Sequence, residues 1–121
     1  MLDILAALQG VAQVLKDAGV RASEDPQNLN PPCAWVSTSK YEVEYLCGEG
    51  TLTVDIFLIA INNGVPQAIK SLQSMLTKTL TVIQPEGVVS LAESVSLASG
   101  GDALPAYKIT ITVPVQDPDS I

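Results

Sequence analysis

Histidine is absent from the chain. That removes the commonest general base and the commonest metal ligand together, so most hydrolase and metalloenzyme mechanisms lose their usual central residue. Positive charge is scarce too, with 6 Lys plus Arg against 13 Asp plus Glu and a formal net charge of -7. A domain that neutralises nucleic-acid phosphates needs a basic stripe, and sequence-specific DNA or RNA reading is not expected here. Cysteine is limited to Cys33 and Cys47, whose spacing fits neither a CxxC pair nor a zinc site. Both read as unpaired thiols of a reducing compartment. No long hydrophobic run exists: the most apolar stretch, 52–61, contains Thr53 and Asp55 and is half the length a bilayer-spanning helix needs. Asp3 sits where a secretory signal would carry positive charge, so neither a signal peptide nor a membrane span is expected.

Catalytic patterns are equally thin. Serines and cysteines have no His to activate them, and no GxSxG elbow or SxxK pair occurs. Gly48–Gly50 and Gly100–Gly101 lie between expected strands and lead into no helix, so they read as turns rather than phosphate cradles. Carboxylate pairs can do acid–base work without His. Glu42 and Glu44 share one strand face, but a solvated face is the simpler reading. Asp55 and Glu93 are the odder acids, placed against apolar phases, and each is expected at a rim or a subunit contact. Trp35, the single Trp, is expected in core packing rather than as a partner anchor. The chain is expected to be no enzyme and to need no cofactor or metal.

What is present is the patterning of one α+β domain spanning 1–121. At 121 residues a compact fold hides about two-thirds of the surface exposed by its unfolded chain. Leu5, Leu8, Ala12 and Leu15, flanked by Ile4 and Val11, mark one buried helical face, with Asp3 as cap and Gly19 as terminator. After a short segment around Val20 and Ala22, residues 25–32 are dense in turn formers. Residues 33–36 are β-prone. Tyr41, Val43 and Tyr45, alternating with Glu42 and Glu44, predict a second, separate strand with one wet face.

Gly48, Glu49 and Gly50 predict a tight reversal into 51–61, hence a hairpin. Its second arm starts half wet and ends buried on both faces. Pro66 opens a second helix, with Ile69, Leu72, Leu76, Leu80 and Ile83 as its face and Met75 beside it. Two strands follow, one carrying Val89, Leu91, Val95 and Leu97, the other Tyr107, Ile109, Ile111, Val113 and Val115. Residues 116–121 are expected to form a loose tail. The sum is a mainly antiparallel sheet packed against two helices, with a projecting β-hairpin. A two-stranded ribbon is marginal alone, so this arm is expected on a neighbouring subunit.

This order of elements resembles the tail terminator proteins of long-tailed (siphovirus) bacteriophages, small acidic α+β proteins. The resemblance rests on the opening helix ending in Gly19, Val20, Arg21 and Ala22, on Asp25–Pro26 and Asn30, Pro31 and Pro32 leading to Trp35, and on Asn62, Asn63, Gly64 and Pro66 announcing the second helix. It covers essentially the whole chain. The resemblance implies a homo-oligomeric, hexameric ring that stops polymerisation of the tail-tube protein and offers its other face to the head–tail connector or stopper protein. It also implies residence in the virion tail or neck after assembly in the host cytoplasm. Genomic DNA would be lumen content only, passing an acidic wall that repels phosphate. The hairpin residues expected at the oligomer or partner interface are Glu44, Gly48, Glu49, Gly50, Thr51 and Thr53, and removal of 44–53 is expected to leave the core folded. The alternatives are a head-completion or stopper protein of the neck and, from another class, a small cytoplasmic ligand-binding or enzymatic domain.

Overall fold

The first helix ends as its sequence dictates. In α1 (Ile4–Asp17) the chain stops at Gly19, whose φ of 92° only glycine adopts without strain. Gly19 N–H donates to Lys16 O at 3.0 Å and Val20 N–H to Leu15 O at 2.9 Å, the paired bonds of a Schellman close. Leu15 and Val20 are both buried beneath that turn. The computed structural model describes residues 4–25, 32–43, 49–61, 64–83, 89–95 and 104–116.

Among the described residues five strands follow in one sheet: β1 (Ala22–Ser23), β2 (Cys33–Val43), β3 (Glu49–Ile59), β4 (Ser90–Val95) and β5 (Leu104–Gln116), with α2 (Val65–Leu80) between β3 and β4. Their order is β1-β2-β3-β5-β4, with β1 parallel to β2 and every other pairing antiparallel. β3 and β4 thus run the same way with β5 between them, so β3–α2–β4 is a split β-α-β unit. The architecture is α+β, with both helices contributing to one core on a single face of the sheet.

That core takes Ala34 and Val36 from β2, Leu52, Val54, Ile56 and Leu58 from β3, and Ile109 and Ile111 from β5. Against them pack Ala12 and Leu15 of α1 and Ala68, Leu72 and Met75 of α2. The opposite face carries a smaller cluster of Cys33, Ile59, Val95 and Ala106, with Trp35, Phe57 and Leu104 packed on it. Trp35 therefore packs within the chain, on the face away from the helices.

Several expectations are corrected. The two segments around 33–36 and 41–45 are one strand through Val43, broken by a register shift between Thr38 and Lys40. The extra residue reverses which side chains face the helices. Before it Ala34 and Val36 point to the core, and after it Tyr41 does, opposite Leu52. The same device acts in β4, where a shift between Ser90 and Glu93 sends Val89 to the main core and Val95 to the smaller cluster. Leu91, expected in phase with both, is 59% exposed.

The expected face of α1 holds at Leu8, Ala12 and Leu15, with Ile4 and Val11 beside it and Ala7 added, and only Leu5 is exposed. The face of α2 is rotated. In α2 the inner row is Ala68, Leu72, Met75 and Thr79, while Ile69 and Leu80 face outward. Small Ala68 admits close approach to the sheet. Thr79 is accepted inside because its hydroxyl donates to Met75 O at 2.8 Å. Of the expected loose tail, Gln116 is instead the last residue of β5, paired with Glu49, and 117–121 lie outside the described residues.

Candidate assembly surfaces

The hairpin is built differently from a two-stranded arm. β3 pairs with β2 from Cys33↔Ile59 to Val43↔Gly50, and on its other side with β5 from Ile59↔Ala106 to Glu49↔Gln116. The ribbon is three-stranded, and its middle strand β3 has ladder partners on both sides, so the open ladder groups expected of a two-stranded arm are confined to the outer edges of β2 and β5. Edge strand β1 covers only Ala34 and Trp35, and β4 reaches only to Lys108. Beyond those points the β2-β3-β5 ribbon runs on with unpaired outer edges among the described residues.

The expected interface residues divide along this ribbon. Glu44 and Gly48 lie outside the described residues, and Glu49 is placed only by its backbone pairing with Gln116. Thr51 is half-buried, between Glu42 and Pro114. Gly50 and Thr53 are buried, which removes them from the set of accessible contacts. A methyl at Gly50 would coincide with the Tyr41 ring and hydroxyl, so glycine is required there by close approach. Thr53 sits between Lys40 and Thr112, and its hydroxyl is buried with no hydrogen-bond partner among the described residues. Leu52, between them, is a core residue. Removing 44–53 would therefore take a core residue and part of the middle strand with it, against the expectation that the core stays folded.

The acids singled out by sequence are held in structural contacts. Asp55 is 9% exposed and accepts a hydrogen bond from Thr110 Oγ1 at 3.0 Å. Glu93 is half-buried and accepts one from Ser90 Oγ at 2.8 Å. Asp55 stands opposite Thr110 and Glu93 opposite Ala106, on strands separated by β5, so the register does not bring the two together. Glu42 is exposed and pairs with Lys40 Nζ at 3.1 Å. Among the described residues no three His, Cys, Asp or Glu side chains gather as a metal site. Cys33 is buried in the smaller cluster, and Cys47 lies outside the described residues.

The open face of the sheet is not uniform. At one end Trp35 stacks on Phe57, with ring centroids 5.4 Å apart and 26° between planes, and Lys108 Nζ lies 5.9 Å from the Phe57 centroid. Toward the ribbon the same face turns to Ser37, Asp55 and Thr110 and then to Thr53 and Thr112. On the helix side, a cleft of about 380 Å³ opens between α2 and β4–β5, lined by Ala68, Ile69, Leu72, Leu91, Glu93 and Tyr107 among others. Sequence reasoning passed over the outward face of α2, whose signal lies in what it omits.

No family model matches the chain, and no curated protein matches it. Among the described residues no helix is long and apolar enough to cross a membrane.

Proposed function

We propose that this chain is a structural virion protein that forms a ring, ends the polymerisation of a phage tail tube and joins the tail to the head connector. The observation that carries the reading is the β2-β3-β5 ribbon, which runs past both edge strands and ends in acidic sequence. A sheet extended beyond its flanking strands offers contact area to a neighbouring subunit, while the most conspicuous acids of the chain are engaged in hydrogen bonds to Thr110 and Ser90. A net charge of -7 suits a lumen through which DNA passes without adhering.

The test is mass in solution together with negative-stain images, with and without tail-tube protein. Hexameric rings with a central channel that cap tube ends are expected. A chain that stays monomeric at every concentration and never binds tube ends overturns the proposal. Rings that bind the connector but leave tube length unchanged would assign it instead to the neck stoppers. The cleft beside α2 favours a second reading, a small-ligand domain, because its volume of about 380 Å³ and mostly apolar lining suit a ligand pocket. Saturable binding of a small apolar anion or neutral ligand to a monomer, abolished by Leu72→Trp, would select that reading.

A further inference from the structure

Beside the row that α2 buries on the sheet, the same helix leaves apolar side chains uncovered. Ile69 is 46% exposed and Leu80 45%, with Leu76 half-buried between them. Positions 69, 73, 76 and 80 follow the i, i+4, i+7, i+11 spacing of one helical stripe, so these three apolar residues and Gln73 share a single flank. Val82, also exposed, carries apolar surface past the end of the helix. The two ends of the stripe differ in shape. At Ile69 lies the cleft of about 380 Å³ between α2 and β4–β5, with Ala68, Leu72, Leu91 and Leu104 in its lining and Leu91 largely exposed. At the other end Leu80 stands in solvent, eleven positions on and about 16 Å along the helix axis. A hollow at one end and an exposed leucine at the other make the stripe complementary to itself when it is reversed.

We infer that this stripe and the cleft beside it are a self-docking surface, on which α2 of a second copy packs antiparallel about a two-fold axis and seats its Leu80 in the cleft. With the axis midway between Gln73 and Leu76, Ile69 meets Leu80 of the second copy, Gln73 meets its Leu76, and the set repeats across the axis. A parallel arrangement would set Ile69 against Ile69 and leave both clefts without an occupant. Charge favours this flank. Copies of net charge -7 repel one another, and no Asp or Glu occurs between Asp55 and Glu86, the span that holds α2. Glu93 also lines the cleft, but its register partner Ala106 belongs to the cluster on the opposite face of the sheet, and its carboxylate accepts from Ser90 Oγ. Lysine stays out of the seam as well. Lys70 is one step, about 100°, further round the helix than Ile69. Lys78 lies over the close of α1, where a β-carbon on Gly19 would stand 3.9 Å from its Cδ. The inference goes beyond the ring-forming reading and does not rest on it. A two-fold contact closes at two copies, and where a separate head-to-tail contact makes rings it joins them back to back.

The experiment is sedimentation of the full chain over a concentration series, with thermal melting of every variant. The unaltered chain is expected to reach twice the monomer mass, or twice the mass of a ring where rings form. Leu80→Glu and Ile69→Lys, both at exposed positions, are each expected to raise the dissociation constant at least about thirtyfold while cooperative melting is kept, since each strikes both symmetric contacts at once. Position 69 faces position 80 of the other copy, so combining the two changes in one chain, or mixing the two single variants, is expected to restore the doubled mass. Val14→Glu, at a comparably exposed apolar position on α1, is expected to leave association unchanged. Leu80→Gln gives the same direction as Leu80→Glu with a smaller shift and serves if the Glu variant does not melt cooperatively. A chain that never doubles its mass, a doubled mass that survives Leu80→Glu, or one lost in both single variants and not regained in their mixture overturns the inference. Single rings that neither variant disturbs overturn it while the assembly reading stands. A dimer abolished and restored as described, in a chain that never caps tube ends, upholds it while that reading fails.

Discussion

The two faces of the sheet use the same three long strands for opposite ends. On the helix-covered face, Val36, Ile56 and Ile109 stand in one cross-strand row and all are fully buried. One residue along, the open face sets Ser37, Asp55 and Thr110 in the neighbouring row. Since side chains alternate across a strand, a single β3 segment, Val54–Asp55–Ile56, serves both. The apolar row supplies the burial that holds the domain together, and the polar row supplies hydrogen bonding at a place where packing is already complete. The difference indicates that the stability of this fold is decided beneath the helices, and that the open face can vary more cheaply.

Substitutions along these rows sharpen the contrast, and urea or thermal unfolding measures each. Ile56→Ala, at the centre of the covered face with strands on both sides, is expected to cost about 3–4 kcal/mol. A loss below about 1 kcal/mol would show that the core lies elsewhere. Gly50→Val is expected to cost about 1–3 kcal/mol by driving Tyr41 from its place over the strand. The same change made in a Tyr41→Ala background should cost much less, and equal costs in the two backgrounds would break the assigned contact.

On the open face, Asp55→Ala leaves the Thr110 hydroxyl without its acceptor and is expected to cost about 1–2 kcal/mol, with Asp55→Asn recovering part of it. The smallest effect is expected at Thr53. Thr53→Val removes a buried hydroxyl that has no partner among the described residues, so stability should stay level or rise by up to about 1 kcal/mol. A clear loss there would mean that the hydroxyl is engaged and that the open face is more demanding than the row comparison implies.

Where local chemistry decides structure, the sequence was readable. Gly19 after a helical period announces the end of α1, Pro66 announces the start of α2, and the alternation from Tyr107 to Val113 places β5 correctly. Three things were hidden. The phase reversal at Ser39 looks like two strands, because a bulge leaves no signature beyond a change of parity. The face of α2 was read from its largest apolar residues, whereas the burial row includes Ala68 and Thr79, one small and one polar but bonded to its own backbone. The placement of β5 between β3 and β4 depends on contacts across a helix and a crossover, which no periodicity records. For the interface the sequence set the reversal at Gly48–Gly50, whereas Glu49 and Gly50 already belong to β3, and it could not tell that Gly50 closes against Tyr41 or that Thr53 is buried on the open face between β2 and β5.

The ribbon's outer edges bear on how copies of this chain can be counted. β2 carries its bulge and Lys40 along one exposed edge, and β5 carries Pro114, which has no N–H to donate, along the other. A flat edge would let one molecule add to the next through main-chain bonds, with nothing to fix the number that join. Irregular edges leave recognition to side chains, whose geometry can close after a fixed number of subunits and whose bonds salt can undo. For the proposed ring, straightening β2 by removing Ser39 and giving β5 a donor with Pro114→Thr is expected to favour open-ended edge-to-edge growth over closure.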